Sequence, residues 1–394
     1  MQQPKVALIV DWLTVYAGAE RVVEQIINIY PECDLFSLVD FLPDNQRGFL
    51  QHKLAKTTFI QRLPFSRKKF RAYLPFMPMA IETLNLEGYD IVISSSHAVA
   101  RGAITLANQL HITYLQARNL KYAYEDRFLY FKLRKLGYLK EYLLHKLRMW
   151  DRIACSRPDH TIANSKYVSL WTKKVNRIKS QVIYPPVDVD RLIEMSVENK
   201  EEYYITVGRL EPYKRFDLIV DAFNQCGKPL YIVGDGSLLK KLKKAAKKSI
   251  VFLGFQSKEK VAELIAAAKA LVFSGCEDFG ISLVEAQACG TPVIAYGKGG
   301  ALETVTPLTE KEPTGVLFFD QTVKEILNAV TAFENSKDAF TLEACKRNAK
   351  RFSNERFRRE FKSFVTEKYQ AHCNSLAQNY SVLSTSLYKQ GISS

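Results

Sequence analysis

The stretch SGCEDFGISLVEAQACGTPVIAYGKGG, residues 274–300, decides the fold. The runs on either side of its centre, KALVFS at 269–274 and PVIAY at 292–296, are short, apolar and β-branched, as strands buried on both faces of a parallel sheet should be. Between them ISLVEAQACG predicts a helix closed by Gly290. Glu277 then falls in the loop at the carboxyl end of a strand, and Glu285 lies inside the helix about two turns from its start. In open α/β sheets the crevice outside the strand carboxyl ends is where ligands bind. The two carboxylates are therefore candidate ligand contacts.

The alternation extends outward in both directions. The N-terminal half opens with the strand KVALIV, the loop DWLTVYAGAE and an amphipathic helix beginning near Arg21, followed by strands at DIVISS, HITYL and HTIAN. After SQVIYPPVDVDR the pattern restarts with YYITVG, the helix FDLIVDAFNQ, PLYIVG, the lysine-rich LLKKLKKAAKK and IVFLG. Pro185 and Pro186 mark the crossing between two α/β domains. The expected divisions are residues 1–186, 187–350, a helix at 351–375 crossing back to the first domain, and a polar tail at 376–394. In that helix Ser353 can act as cap, and Phe357, Phe361 and Phe364 form one apolar stripe that must pack on something.

With 394 residues the chain is too long for one ordinary core. Its 7 cysteines are scattered singly, which points to a reducing cytoplasm and against a disulfide framework or a structural zinc site. No apolar run approaches the roughly 18 residues needed to span a bilayer, so a soluble or peripheral protein is expected. Residues 1–188 carry +11 of the net charge of +15, an asymmetry that suits an anionic surface, either a membrane or nucleic acid. The segment 127–152 interleaves eight Lys/Arg with Phe, Tyr, Leu and Trp, and with SRKKFR at 66–71 it predicts contact with an anionic membrane surface.

A second loop, VGRLEPYKRFD, leaves its strand at Gly208 and enters a helix near Phe216, so Arg209 and Lys214 project toward the crevice beside residues 277–285. Two cations and a helix N-terminus at a strand edge form an anion site that suits a diphosphate.

Together these motifs resemble family 4 of the retaining glycosyltransferases, which have the two-domain GT-B fold. The resemblance is carried by Glu277-x7-Glu285 with Phe279-Gly280, GRLEPYKR, YAGAE, VIYPPVD, IVGDG, FLGF, GGALETV and RFSNERF, and DWLTVYAGAERV and ISSSHAVARG bring it nearest to mannosyltransferase-like enzymes of bacterial surface polysaccharides. It implies an α/β fold of two Rossmann-like domains facing across a deep cleft, with a nucleotide sugar as donor and a lipid-linked saccharide as acceptor. Carried over, Arg209 and Lys214 hold the donor diphosphate, Glu277 contacts sugar hydroxyls and Glu285 accepts from the ribose diol. Backbone amides around Phe279, Gly280 and Ile281 support sugar and phosphate, Gly18 allows close approach to the pyrophosphate, and His97 stands near the reacting centre.

The family's TPMRYAWD-like run is replaced by ARNLKYAYED, with Lys121, Tyr124 and Glu125 in place of Arg, Trp and Asp. Asp188-Val189-Asp190 spells a D-x-D pattern but follows Pro-Pro in the linker, so no metal and no cofactor beyond the donor substrate is expected. The expected function is retaining transfer of a hexose, mannose from GDP-mannose, at the cytoplasmic face of the cell membrane. A sugar-nucleotide epimerase of the same fold is one alternative. A basic nucleic-acid-binding protein is another; the carboxylate pair at a strand end argues against it, so no nucleic-acid partner is expected.

Overall fold

The first strand, β1 (Val6–Val10), is buried at all five positions, with Val6, Leu8 and Val10 in one apolar cluster and Ala7 and Ile9 in another. A strand sends successive side chains to opposite faces, so β1 lies in a sheet covered on both sides. The computed structural model describes residues 3–125 and 137–391, and the backbone alone of Tyr122 and of residues 379–391. The chain divides into two units, Met1–Asn164 with Ser169–Ile183 and Phe357–Ser394, and Ser165–Val168 with Tyr184–Arg356.

In the first unit β1 is followed by β2 (Asp34–Ser37), β3 (Lys56–Thr57), β4 (Ile91–Ser96), β5 (Leu110–Leu115), β6 (His160–Ala163) and β7 (Gln181–Val182). All pair parallel, in the order β3-β2-β1-β4-β5-β6-β7. The second unit has β8 (Tyr204–Val207), β9 (Leu230–Val233), β10 (Ile250–Gly254), β11 (Ala270–Phe273), β12 (Val293–Tyr296) and β13 (Gly315–Phe318), again parallel, in the order β10-β9-β8-β11-β12-β13. Each sheet reverses its winding once, between β1 and β4 and between β8 and β11. At such a switch point the loops leaving two neighbouring strands part in opposite directions and open a crevice.

The helix Gly18–Ile29 begins three residues before the expected Arg21, because the Glu20 carboxylate accepts the Ala17 backbone N–H at 2.9 Å and closes the first turn. Its Val22, Val23, Ile26 and Ile27 are buried at helical spacing. At the far end of the chain the helix Asn354–Gly391 opens with Arg356 N–H donating to Ser353 Oγ at 3.2 Å, and it runs on through the residues set apart as a polar tail. Phe357 and Phe361 are fully buried in the first unit's core, stacked on each other at 5.4 Å and meeting the Tyr114 ring. Among the described residues no helix is long and apolar enough to cross a membrane.

Candidate functional site

In the second unit the two switch-point loops are those leaving β8 and β11, and they carry Arg209 and Lys214 on one and Glu277 on the other. Lys214 ends a short 3-10 turn, Pro212–Lys214, and its carbonyl and that of Arg215 accept the Ser274 hydroxyl at 3.2 and 2.7 Å. This crosslink brings the loops together. Lys214 Nζ stands 2.7 Å from Glu277 Oε1 and 5.2 Å from the centre of the Phe273 ring. The contact is an ion pair rather than an aligned hydrogen bond, and Glu277 Oε1 keeps acceptor capacity. Arg209 is exposed, with Nη2 3.4 Å from the Tyr213 hydroxyl.

The loop Glu277–Gly280 is held from behind. Gly300 N–H donates to the Glu277 carbonyl at 2.9 Å, and a side chain on Gly300 would lie 2.0 Å from the Phe279 carbonyl oxygen, so only glycine fits that approach. Gly280, with φ of 89°, turns the chain into the helix Ile281–Ala288. The Phe279 ring is buried against Phe352 and Tyr184, at 5.3 and 5.9 Å, so this residue can offer a ligand its backbone only. Glu285 lies half-buried in the second turn of the helix. Arg209, Lys214, Glu277, Phe279, Gly280, Ile281 and Glu285 thus share the carboxyl edge of one sheet.

Glu303, within the GGALETV motif, received no role from sequence. Its carboxylate accepts the backbone N–H groups of Lys166 and Tyr167 at 2.8 and 2.9 Å, and it also takes the Tyr184 hydroxyl, whose pKa burial first and Glu303 second push up to about 12. Asp188 is paired with Arg191 at 3.0 Å.

In the first unit the switch-point loops leave β1 and β4 and carry Gly18 and His97. Between them stands Asp11, the first residue of the DWLTVYAGAE loop, to which sequence reasoning assigned no role. The Asp11 carboxylate is fully buried and accepts the backbone N–H groups of His97, Ala98, Val99 and Ala100 at 2.6, 2.9, 2.6 and 2.7 Å. It also meets His97 Nδ1 at 3.0 Å. The edge of the His97 ring lies against Trp12, 4.4 Å between centres at 90°. Burial raises the pKa of the nearby Glu20 carboxyl, opposed by its backbone hydrogen bonds and by His97.

Tyr124 and Glu125 are committed inside this unit. The Tyr124 hydroxyl donates to Asp151 at 2.8 Å, and Glu125 accepts from Trp171 Nε1 at 2.9 Å and pairs with Arg118. The first part of the basic aromatic segment, 127–136, lies outside the described residues; the rest forms the helix Gly137–Ala154, which exposes Tyr138, Leu139, Tyr142, Met149 and Ile153.

Both halves of the chain are similar to known protein families. Residues 18–191 match the family described as Glycosyltransferase Family 4, and residues 190–352 match Glycosyl transferases group 1. The alpha-1,3/1,6-mannosyltransferase ALG2 of Kluyveromyces lactis is 25% identical over 346 residues, 72% of this chain and 67% of that one. A GDP-mannose-dependent monoacylated alpha-(1-6)-phosphatidylinositol monomannoside mannosyltransferase of Corynebacterium glutamicum is 38% identical over 151 residues, 31% of this chain and 40% of its own. For other curated relatives the match spans under half their length, 46% and 38% of two of them. The fold matches Anabaena HepE in complex with UDP and glucose with a TM-score of 0.66 at 18% identity, over 92% of this chain and all of that one. With its two halves matched in order by two glycosyltransferase family models, and its fold matched by HepE, the chain belongs to the GT-B glycosyltransferases of family 4.

Proposed function

We propose that this protein is a retaining glycosyltransferase that moves a hexose, mannose from GDP-mannose, onto a lipid-linked saccharide in cell-surface polysaccharide synthesis. The observation that carries the reading is the meeting of Lys214 and Glu277 at the carboxyl ends of β8 and β11, beside the start of the helix Ile281–Ala288. A cation, a carboxylate with acceptor capacity and free backbone amides suit a diphosphate joined to a sugar. The mannosyltransferase relatives favour mannose. HepE, solved with UDP and glucose, makes a UDP-hexose the competing donor.

In the proposed reaction the acceptor hydroxyl oxygen bonds to the anomeric carbon on the face from which the diphosphate oxygen departs. The bond to that diphosphate oxygen breaks, and the hydroxyl proton passes to the departing diphosphate. No protein nucleophile is required. Arg209 and Lys214 neutralise the leaving group, Glu277 holds sugar hydroxyls, Glu285 holds the ribose, and amides at Phe279, Gly280 and Ile281 support sugar and phosphate. The first unit contributes Gly18, which permits backbone approach to phosphate, and His97, whose ring meets a sugar hydroxyl. Since the cations supply the positive charge, the reaction is proposed to need no metal.

The proposed location is the inner face of the cell membrane. Exposed Arg67, Lys68 and Lys69 lie beside Phe65, 79% exposed, and Phe76, 51% exposed, a mixture suited to anionic headgroups.

The test is a thermal-shift screen of GDP-, UDP-, ADP- and dTDP-sugars, followed by transfer assays on lipid-linked saccharides with and without EDTA. A donor at about 100 times its dissociation constant adds roughly 2.7 kcal/mol of stability. GDP-mannose should stabilise most and support EDTA-resistant transfer with the anomeric configuration kept. Stabilisation by no nucleotide sugar would overturn the reading, and turnover of donor to an epimer without acceptor would favour the epimerase alternative.

A further inference from the structure

We infer that Asp11 is a positioning residue that holds His97 with its ring proton on Nδ1, leaving Nε2 as the hydrogen-bond acceptor for a sugar hydroxyl. The inference rests on the glycosyltransferase reading for the identity of the hydroxyl, and on the first unit alone for the geometry.

The Asp11 carboxylate accepts four backbone N–H groups and lies against the His97 ring nitrogen. Oδ2 faces the N–H groups of His97 and Ala98 together with His97 Nδ1, and Oδ1 faces those of Val99 and Ala100. A nitrogen placed 3.0 Å from a fully buried carboxylate oxygen has to carry hydrogen, because two lone pairs would repel there. The backbone bonds aim the loop after β4, and the 3.0 Å approach of Nδ1 to the carboxylate selects the tautomer. Trp12, packed edge to face on the imidazole, limits its rotation. Glu20, the other carboxylate close by, is engaged by the Ala17 N–H and does not replace Asp11. Among the described residues His97 hydrogen-bonds through its backbone N–H and Nε2 has no partner, and the His97 side chain keeps 30% of its surface exposed. An acceptor nitrogen, oriented and open, at the switch point of a sheet suits a hydroxyl donor.

The test uses the full chain labelled with 15N-histidine. With 6 histidines in the sequence, comparison with His97→Gln assigns the His97 signals in a long-range 1H–15N spectrum. The parent should show a protonated Nδ1 and a bare Nε2, a result that needs no Asp11 variant to fold. A parent with the proton on Nε2 overturns the inference. In transfer kinetics Asp11→Asn should lower kcat on the order of 10²-fold, with donor KM changed by no more than about threefold, and should populate the Nε2–H form. In a His97→Ala background the same change should cost nothing further, since Asp11 acts through the ring. An equal loss in both backgrounds would make Asp11 purely structural and contradict the inference. If His97→Ala leaves transfer unchanged, the role of His97 in the reaction fails, and the spectrum still decides whether Asp11 sets the tautomer.

Discussion

Lys214 and Glu277 form an ion pair of 2.7 Å across the loops that leave β8 and β11, with the two side chains 14% and 24% exposed. Half-withdrawn from water, each depends on the other for compensation, and a diphosphate would enter as a second partner for the lysine. Lys214→Ala should therefore reduce donor binding or transition-state stabilisation by about 1.5–3 kcal/mol, and lower the melting temperature as well. Arg209, exposed and, among the described residues, bonded to Tyr213 alone, should show the donor loss without the stability loss when changed to Ala. Kinetics and thermal melts of both variants check this; turnover and donor affinity within about twofold of the parent would remove both residues from the diphosphate site.

His111 makes acid sensitivity predictable. It is fully buried with Nε2 2.9 Å from Ser94 Oγ, and burial first and the Arg157 charge second lower its pKa from 6.5 to about 3. Unfolded, the ring takes a proton near pH 6.5; folded, it refuses one until about pH 3. Its contribution to stability is whole above pH 6.5 and is lost as pH falls toward 3, by about 1.4 kcal/mol per unit. Urea unfolding of the parent and of His111→Gln between pH 7 and pH 4.5 should give a stability difference that shrinks with acid. A difference independent of pH would contradict the assignment.

The sequence was most legible where one residue type has one use. Short apolar runs marked β1, β4, β5, β6 and β8–β12, and the loops after them placed Glu277, Lys214 and His97 at strand ends. The edge strand β3, two residues long, carried no periodic signal, and neither did β7. The helix start at Gly18 was missed because its capping carboxylate, Glu20, looked like an ordinary charge in a loop. Asp11 could have been found, since an acidic residue directly after a fully buried strand lies at a sheet's carboxyl edge. Glu303 could not, because the N–H groups it accepts lie 137 and 136 residues away. Sequence alone paired neither Lys214 with Glu277 nor Asp11 with His97, since both contacts bridge loops from different strands.

The C-terminal helix should behave as part of the first unit's core. Phe361, fully buried beside Phe357 and Tyr114, should cost about 3–5 kcal/mol when changed to Ala, read from denaturant midpoints. A loss under about 1 kcal/mol would show that the helix leaves the core readily.

Membrane contact can be separated from donor binding. Changing Arg67, Lys68 and Lys69 to Gln should weaken binding to anionic vesicles by about 1 kcal/mol for each charge near the surface, and leave nucleotide affinity unchanged. Sedimentation with phosphatidylglycerol-containing vesicles at low salt measures it. A parent protein that stays in the supernatant would end the peripheral-membrane reading.

In the proposed reaction Glu277 and Glu285 read opposite ends of one donor. Glu285, in the helix Ile281–Ala288, should grip the ribose, and Glu277, beside Lys214, should touch the sugar. Calorimetric titration of the nucleoside diphosphate into Glu285→Gln and Glu277→Gln, set against their transfer rates, tests this most directly. Glu285→Gln should lose about 1.5–3 kcal/mol of diphosphate affinity, between one and two decades, while Glu277→Gln keeps that affinity and loses transfer. Equal loss of diphosphate affinity in both variants, or undiminished transfer in both, would contradict the account.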